Sequence, residues 1–285
     1  MFDFIKKENK QLIGYVSPKF FDKIPEKDKL KFRTWHFIAK PNVLPSDALK
    51  AAIKGLSIID CGMACQIARY GALLDILEEN KFNLLFSKNV LGLINIGHRD
   101  SDHLQPMRYF VDFTKAVDKN IVGEIGNRPV KIGQVVGFEG VKNYTFKYPY
   151  GQWKASNAIC INDTPGEQKF VSLGTGPEGK TEAEICQNLL DNYNKHEEDL
   201  FIMAPQGDKM VDHTNKMISL FGKEAMNSSM KNLFPLATKV EGYNSQTPQD
   251  FIVEIINDLI KLPLEQISID FVKNHPANSN RIEDI

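Results

Sequence analysis

Ser57-Ile-Ile-Asp60-Cys61-Gly-Met-Ala-Cys65-Gln-Ile-Ala-Arg-Tyr70-Gly-Ala-Leu-Leu-Asp75-Ile-Leu-Glu-Glu79 is the stretch whose reading decides the fold. From Cys61 it encodes a helix that is apolar almost all round, and a helix with so little polar surface belongs inside a domain. Asp60 stands at the N-cap position, which places Cys61 in the first turn. Unbonded backbone N–H groups and the positive end of the macrodipole meet there, a setting that favours a thiolate. A cysteine nucleophile needs that placement. The plainer alternative is a small buried hydrophobe retained for packing.

The 285 residues are enough for one large domain or two small ones. With 42% hydrophobic and 25% charged residues the composition is that of an ordinary globular protein. The 35 basic and 36 acidic side chains nearly cancel, so no field draws in nucleic acid or an anionic membrane, and neither is expected as a partner. No apolar run is long enough for a bilayer-spanning helix. The opening Met1-Phe-Asp-Phe-Ile-Lys-Lys-Glu8 lacks the basic, apolar, small order of a signal peptide. Cytoplasmic residence is expected, or export without a cleaved signal. The four cysteines, 61, 65, 160 and 186, are too few for a disulfide scaffold and read as reduced thiols.

Outward from the central helix, Ser46 reads as the cap of a short helix from Asp47 to Lys54 that Gly55 ends. The central helix is expected to stop near Glu79-Asn80, with Phe82–Phe86 as a final turn or a short second helix. Beyond it the period shifts toward strands at 90–96, 107–113, 133–139, 157–161 and 168–173, punctuated by Gly, Pro and Asn turns. Helices followed by short strands predict an α+β domain with an antiparallel sheet packed on the Cys61 helix. Thr181-Glu182-Ala183-Glu184 is a capping box opening another helix. Thr247-Pro248-Gln249-Asp250 reads as the start of a helix striped by Ile252, Ile255, Ile256, Leu259 and Ile260 and ended by Pro263. The residues from Asn274 onward read as a loose tail.

A cysteine nucleophile works with a general base, usually histidine. Of the six histidines, His275 falls in the tail, His196 and His213 lie in polar helical surroundings, and His36 lies on a strand or its edge. That leaves His98-Arg99-Asp100-Ser101-Asp102-His103. Imidazole and carboxylate are both good metal ligands, but no second ligand cluster accompanies them, and the segment reads first as a solvated loop. No metal or cofactor is expected. His103 and His98 are instead the leading candidates for a base to Cys61, with Asp60 assisting.

Asp60-Cys61-Gly62-Met63-Ala64, Tyr70-Gly71-Ala72-Leu73-Leu74-Asp75-Ile76-Leu77, Glu79-Asn80-Lys81-Phe82-Asn83 and Phe86 together resemble the active-site helix of the bacterial spore-coat transglutaminases. These are papain-like enzymes that cross-link glutamine to lysine side chains. The resemblance resumes at Gly133–Phe138, Trp153–Ile159 and Lys169–Gly176, and spans about 57–177. It implies a papain-like core with Cys61 as nucleophile after the acidic Asp60. In that family a catalytic carboxylate falls where this chain has Ser156, and a histidine falls on or beside Leu173. This chain has no histidine between His103 and His196. Ser156 and Ser172 are short polar groups able to hydrogen-bond a substrate, and Trp153 joins them on the substrate side of the expected site.

The expected layout is a transglutaminase-like core with an N-terminal extension over 1–177, a helical region packed on it over 178–273, and the tail over 274–285. Its implied function is acyl transfer from protein glutamine to an amine, or deamidation, through a Cys61 thioester. The alternative is a catalytically degenerate relative that keeps the scaffold and binds a protein partner. Either way the partner is a protein.

Overall fold

The computed structural model describes residues 15–25, 35–55, 57, 59–97, 106–112, 130–142, 144, 153–194, 236–240 and 242–278. Its first sheet is an antiparallel triplet in the order β1 (Phe21–Pro25), β2 (Trp35–Ala39), β3 (Asn95–Ile96). Between β2 and β3 run α1 (Pro45–Lys54) and α2 (Cys61–Leu85). A second, antiparallel sheet joins β4 (Val111–Asp112), β5 (Val135–Glu139), β6 (Ala155–Asn162), β7 (Lys169–Val171) and β8 (Gly242–Phe251) in the spatial order β4-β8-β5-β6-β7. Among the described residues three more α-helices follow, α3 (Glu182–Asn194) before β8, then α4 (Val253–Lys261) and α5 (Ile269–Lys273). This is an α+β fold with a buried cysteine-bearing helix against an antiparallel sheet.

Burial explains why α2 carries apolar residues on so many sides. Tyr70, Leu73, Leu77, Phe82 and Leu85 are buried in one cluster with Leu49 of α1, Phe37 of β2 and Ile255 and Leu259 of α4. Phe86 anchors that cluster, its ring edge-on to Tyr70 at 5.1 Å and tilted against Phe82 at 4.6 Å. A second cluster lies between β5–β7 and α3, built from Phe138, Ala158, Cys160, Phe170, Ile185 and Leu189.

Helix α2 breaks where the sequence reading ends it. Glu78 leaves the helical region at φ 63°, ψ 160°, and a second helical piece runs on to Leu85. The break turns Glu79 and Asn83 toward α1. Ser46 donates its hydroxyl to Glu79 at 2.8 Å, and its peptide N–H goes to Asn83 Oδ1 at 2.8 Å. Ser46 is therefore not the cap of α1. The helix begins two residues earlier than read, at Pro45, and the open N–H of Ser46 in its first turn is satisfied from α2.

Other elements depart from the pattern-based expectation. Pro106–Tyr109 is a 3₁₀ turn, leaving Val111–Asp112 as strand among the described residues there, and within 90–96 the strand is Asn95–Ile96. The Thr181–Glu184 box forms as read: Thr181 N–H donates to Glu184 Oε2 at 2.8 Å, and Glu184 N–H returns to Thr181 Oγ1 at 3.3 Å. Thr247–Asp250 does not open a helix. It belongs to β8, between β4 and β5, and α4 starts only at Val253. The register against β5 shifts there, with Gln249 opposite Val135 and Asn244 opposite Gly137, so Pro248 falls in an irregularity that tolerates its missing N–H. The last third thus supplies an interior strand to the same sheet as β5–β7. At the start of the expected tail, His275 and Asn278 are buried, with Asn278 donating to the Val272 carbonyl at 2.8 Å and His275 Nε2 3.2 Å from Asp258. Packing against α4 and α5 is what orders it.

Candidate active site

Cys61 is the first residue of α2. Asp60 caps the helix by accepting the Met63 N–H at 2.7 Å, so its carboxylate is committed to fixing the helix start. The Cys61 side chain is half-buried and faces β6. Its sulfur lies 3.4 Å from the peptide nitrogen of Asn157 and 3.3 Å from the Asn157 carboxamide nitrogen.

Around Asn157 the polar groups form a connected set. Its carbonyl accepts the Ser172 hydroxyl at 2.8 Å, and the Ser156 and Ser172 hydroxyls lie 2.8 Å apart. Thr175 ties the turn after β7 to this set, accepting the Ser172 N–H at 2.8 Å and donating to the Ser172 carbonyl at 2.9 Å. The turn carries Gly174 and Gly176 at φ 81° and 80°, backbone that only glycine adopts readily. Trp153 donates its peptide N–H to the Tyr144 hydroxyl at 3.1 Å, and its side chain packs against the second core cluster. Burial raises the Tyr144 phenol above its ordinary value.

The structure therefore brings Asp60 and Cys61 together with Asn157, links Ser172 to this set only through the Asn157 carbonyl and Ser156 only through Ser172, and leaves Trp153 on the core side of the sheet. His103 and His98 lie outside the described residues. His36 is engaged elsewhere, with Nδ1 3.1 Å from Asn95 Oδ1. Among the described residues no three His, Cys, Asp or Glu side chains gather as a metal site. Cys160 is fully buried, and that burial pushes its thiol up to about 11.

Asn157 is the site residue that the sequence reading missed. The signal lay in strand parity. Ala158 and Cys160 are buried with Phe138 and Phe170, and Ser156 pairs opposite Phe138. Alternation puts Asn157 on the other face, toward α2, although Ser156 was read as the residue at the catalytic position.

The model of the protein-glutamine gamma-glutamyltransferase family matches residues 31–217, well over half of the chain and inclusive of α2 and β5–β7. The chain belongs to this family. A solved structure of the transglutaminase from Geobacillus stearothermophilus, without its C-terminal extension, is similar at 17% identity and a TM-score of 0.45. That similarity covers 88% of this chain and 83% of the Geobacillus one. No curated protein matches the sequence. A transglutaminase-type function on protein glutamine is what family membership supports, and no helix among the described residues is long and apolar enough to cross a membrane.

Proposed function

We propose that the protein transfers the acyl group of a protein glutamine through a thioester on Cys61. The observation that carries this reading is the half-buried Cys61 sulfur, at the head of a buried helix inside the family-matched region, with N–H donors directed at it. The sulfur attacks the side-chain carbonyl carbon, the C–N bond breaks, and the thiol proton leaves with the nitrogen as ammonia. A primary amine then attacks the thioester, the C–S bond breaks, and the amine proton returns to sulfur. With water in place of the amine the product is glutamate. Backbone N–H groups in the first turn of α2 supply the oxyanion donors, and His103 or His98 carries protons between the two steps.

The test is incorporation of a labelled primary amine into a glutamine peptide, with ammonia release measured in parallel to separate transfer from deamidation. Cys61→Ala abolishes both signals and changes stability by no more than about 1–2 kcal/mol, as for loss of a small group. A folded Cys61→Ala protein with wild-type turnover ends the covalent mechanism. His103→Ala slows turnover by about 10²–10⁴-fold, the usual worth of a positioned proton carrier, and wild-type turnover in that variant removes His103 from the site. An ordinary, unreactive Cys61 would instead favour the partner-binding reading.

A further inference from the structure

Asn157 meets the reacting sulfur twice, through its peptide N–H at 3.4 Å and its carboxamide Nδ2 at 3.3 Å. Both groups donate hydrogen bonds, and neither takes up a proton near neutral pH. Two donors converging on one sulfur favour its electron-rich form, because a hydrogen bond to an ion is roughly twice as strong as one between neutral groups. The arrangement also holds its shape. Asn157 is paired opposite Gly137 in β5, and its carbonyl is gripped by Ser172 at 2.8 Å. In a strand the N–H and C=O of one residue point to the same side, so Cys61 and Ser172 engage the same backbone edge of Asn157, one through its N–H and the other through its C=O. Thr175 and Ser156 fix Ser172 in turn.

We infer that Asn157 is a catalytic residue of the acyl transfer proposed above, holding the Cys61 sulfur as the attacking anion with its peptide and carboxamide N–H groups. The inference rests on Cys61 being the nucleophile. It assigns Asn157 the ionisation of the sulfur and leaves proton carriage to other groups. In this step the proton passes from sulfur to the group that later delivers it to the leaving ammonia, and no bond to carbon forms or breaks.

The experiment is iodoacetamide labelling of the full chain between pH 5 and 10, read peptide by peptide with Cys186 as internal control. It compares the native sequence with Asn157→Asp and Asn157→Ala. Asn157→Asp keeps the size of the side chain but exchanges the Nδ2 donor for a carboxylate oxygen, and all three proteins keep the peptide N–H. Labelling of Cys61 at pH 7 slows about tenfold in Asn157→Ala, the worth of one hydrogen bond to an ion, and further in Asn157→Asp through like-charge repulsion. The near-isosteric Asp variant is thus the more impaired, an order that a packing role would reverse.

Unchanged labelling in Asn157→Asp, or faster labelling, overturns the assignment. If Cys61→Ala still abolishes amine incorporation in that case, the thioester mechanism stands without it. Native Cys61 that labels no faster than Cys186 overturns the assignment as well, and the amine-incorporation result for Cys61→Ala decides the function separately. Should Asn157→Asp fail to fold, as read by near-ultraviolet circular dichroism, Asn157→Ala against the native profile decides alone: a tenfold loss supports the assignment and an unmoved profile overturns it.

Discussion

Glu78 sits inside α2 at φ 63° and ψ 160°, and among the described residues it is the one non-glycine residue with positive φ. That region is essentially reserved for glycine, and a side chain held there costs of order 1–3 kcal/mol. The break persists because the second helical piece engages α1. Glu79 bonds the Ser46 hydroxyl and the Lys50 ammonium, both at 2.8 Å, and Asn83 takes the Ser46 N–H. Lys50 and then Ser46 hold the Glu79 carboxyl below its ordinary range. Glu78→Gly removes the strain but gives the unfolded chain about 0.5–1 kcal/mol more entropy to lose. The net expectation is stabilisation, by up to about 2.5 kcal/mol. Glu78 is exposed, so little packing is lost with its side chain. Glu78→Ala keeps the Cβ and therefore the strain, and should stay within about 0.5 kcal/mol of the native protein. Urea unfolding of all three chains, compared at equal m, reads the difference as a shift of midpoint. A glycine variant no more stable than the alanine variant would refute the strain argument.

Two further expectations follow from the sheet. Burial raises the Cys160 thiol from about 9 to about 11, so between those values the folded state keeps a proton that the unfolded chain has released. Stability contributed by Cys160 is full below pH 9 and is lost as pH rises toward 11. Urea midpoints from pH 8 to 11 should fall less steeply in Cys160→Ala, and parallel slopes would contradict the burial argument. Truncation after Val240 removes β8 and α4, leaves β4 and β5 without the strand that each pairs with, and strips Ile252, Ile255, Ile256 and Leu259 from the core. That chain should show no cooperative urea transition. A sharp transition near the full-length midpoint would mean that the core closes without its last third.

What was legible in the sequence was what local chemistry decides. The apolar girdle of α2, the Asp60 cap and the Thr181–Glu184 box each depend on residues within a turn or two, and each forms as read. Strand β8 was not legible. Gly242-Tyr-Asn-Ser-Gln-Thr-Pro-Gln-Asp-Phe251 has no apolar alternation and contains a helix-starting Thr-Pro pair. It is a strand because β5 and β4 on either side supply its backbone partners. Ser46 misled for a similar reason. It has the chemistry of a cap, but its partners come from α2, more than thirty residues away. Asn157 required knowing which parity of β6 faces α2, and only the packing of Ala158 and Cys160 against Phe138 and Phe170 decides that.

The same long-range dependence governs the site. Cys61 and Asn157 are separated by 96 positions in sequence, and their contact depends on how α2 lies against β6. Helix α2 is held from behind by the α4 residues that share its core, and Lys81 Nζ donates to the Leu259 carbonyl at 2.9 Å and to Ile260. On the other side, β6 is held by β5, and β5 is paired in turn with β8. Both halves of the sulfur–amide contact are therefore braced by residues 242–261, although the family match ends at 217. Misplacement of reacting groups by about 1 Å can cost of order 100-fold in rate. In the proposed acyl transfer the C-terminal third would act by fixing the distance between a helix that it packs against and a strand that it braces through β5, without having to reach into the cleft.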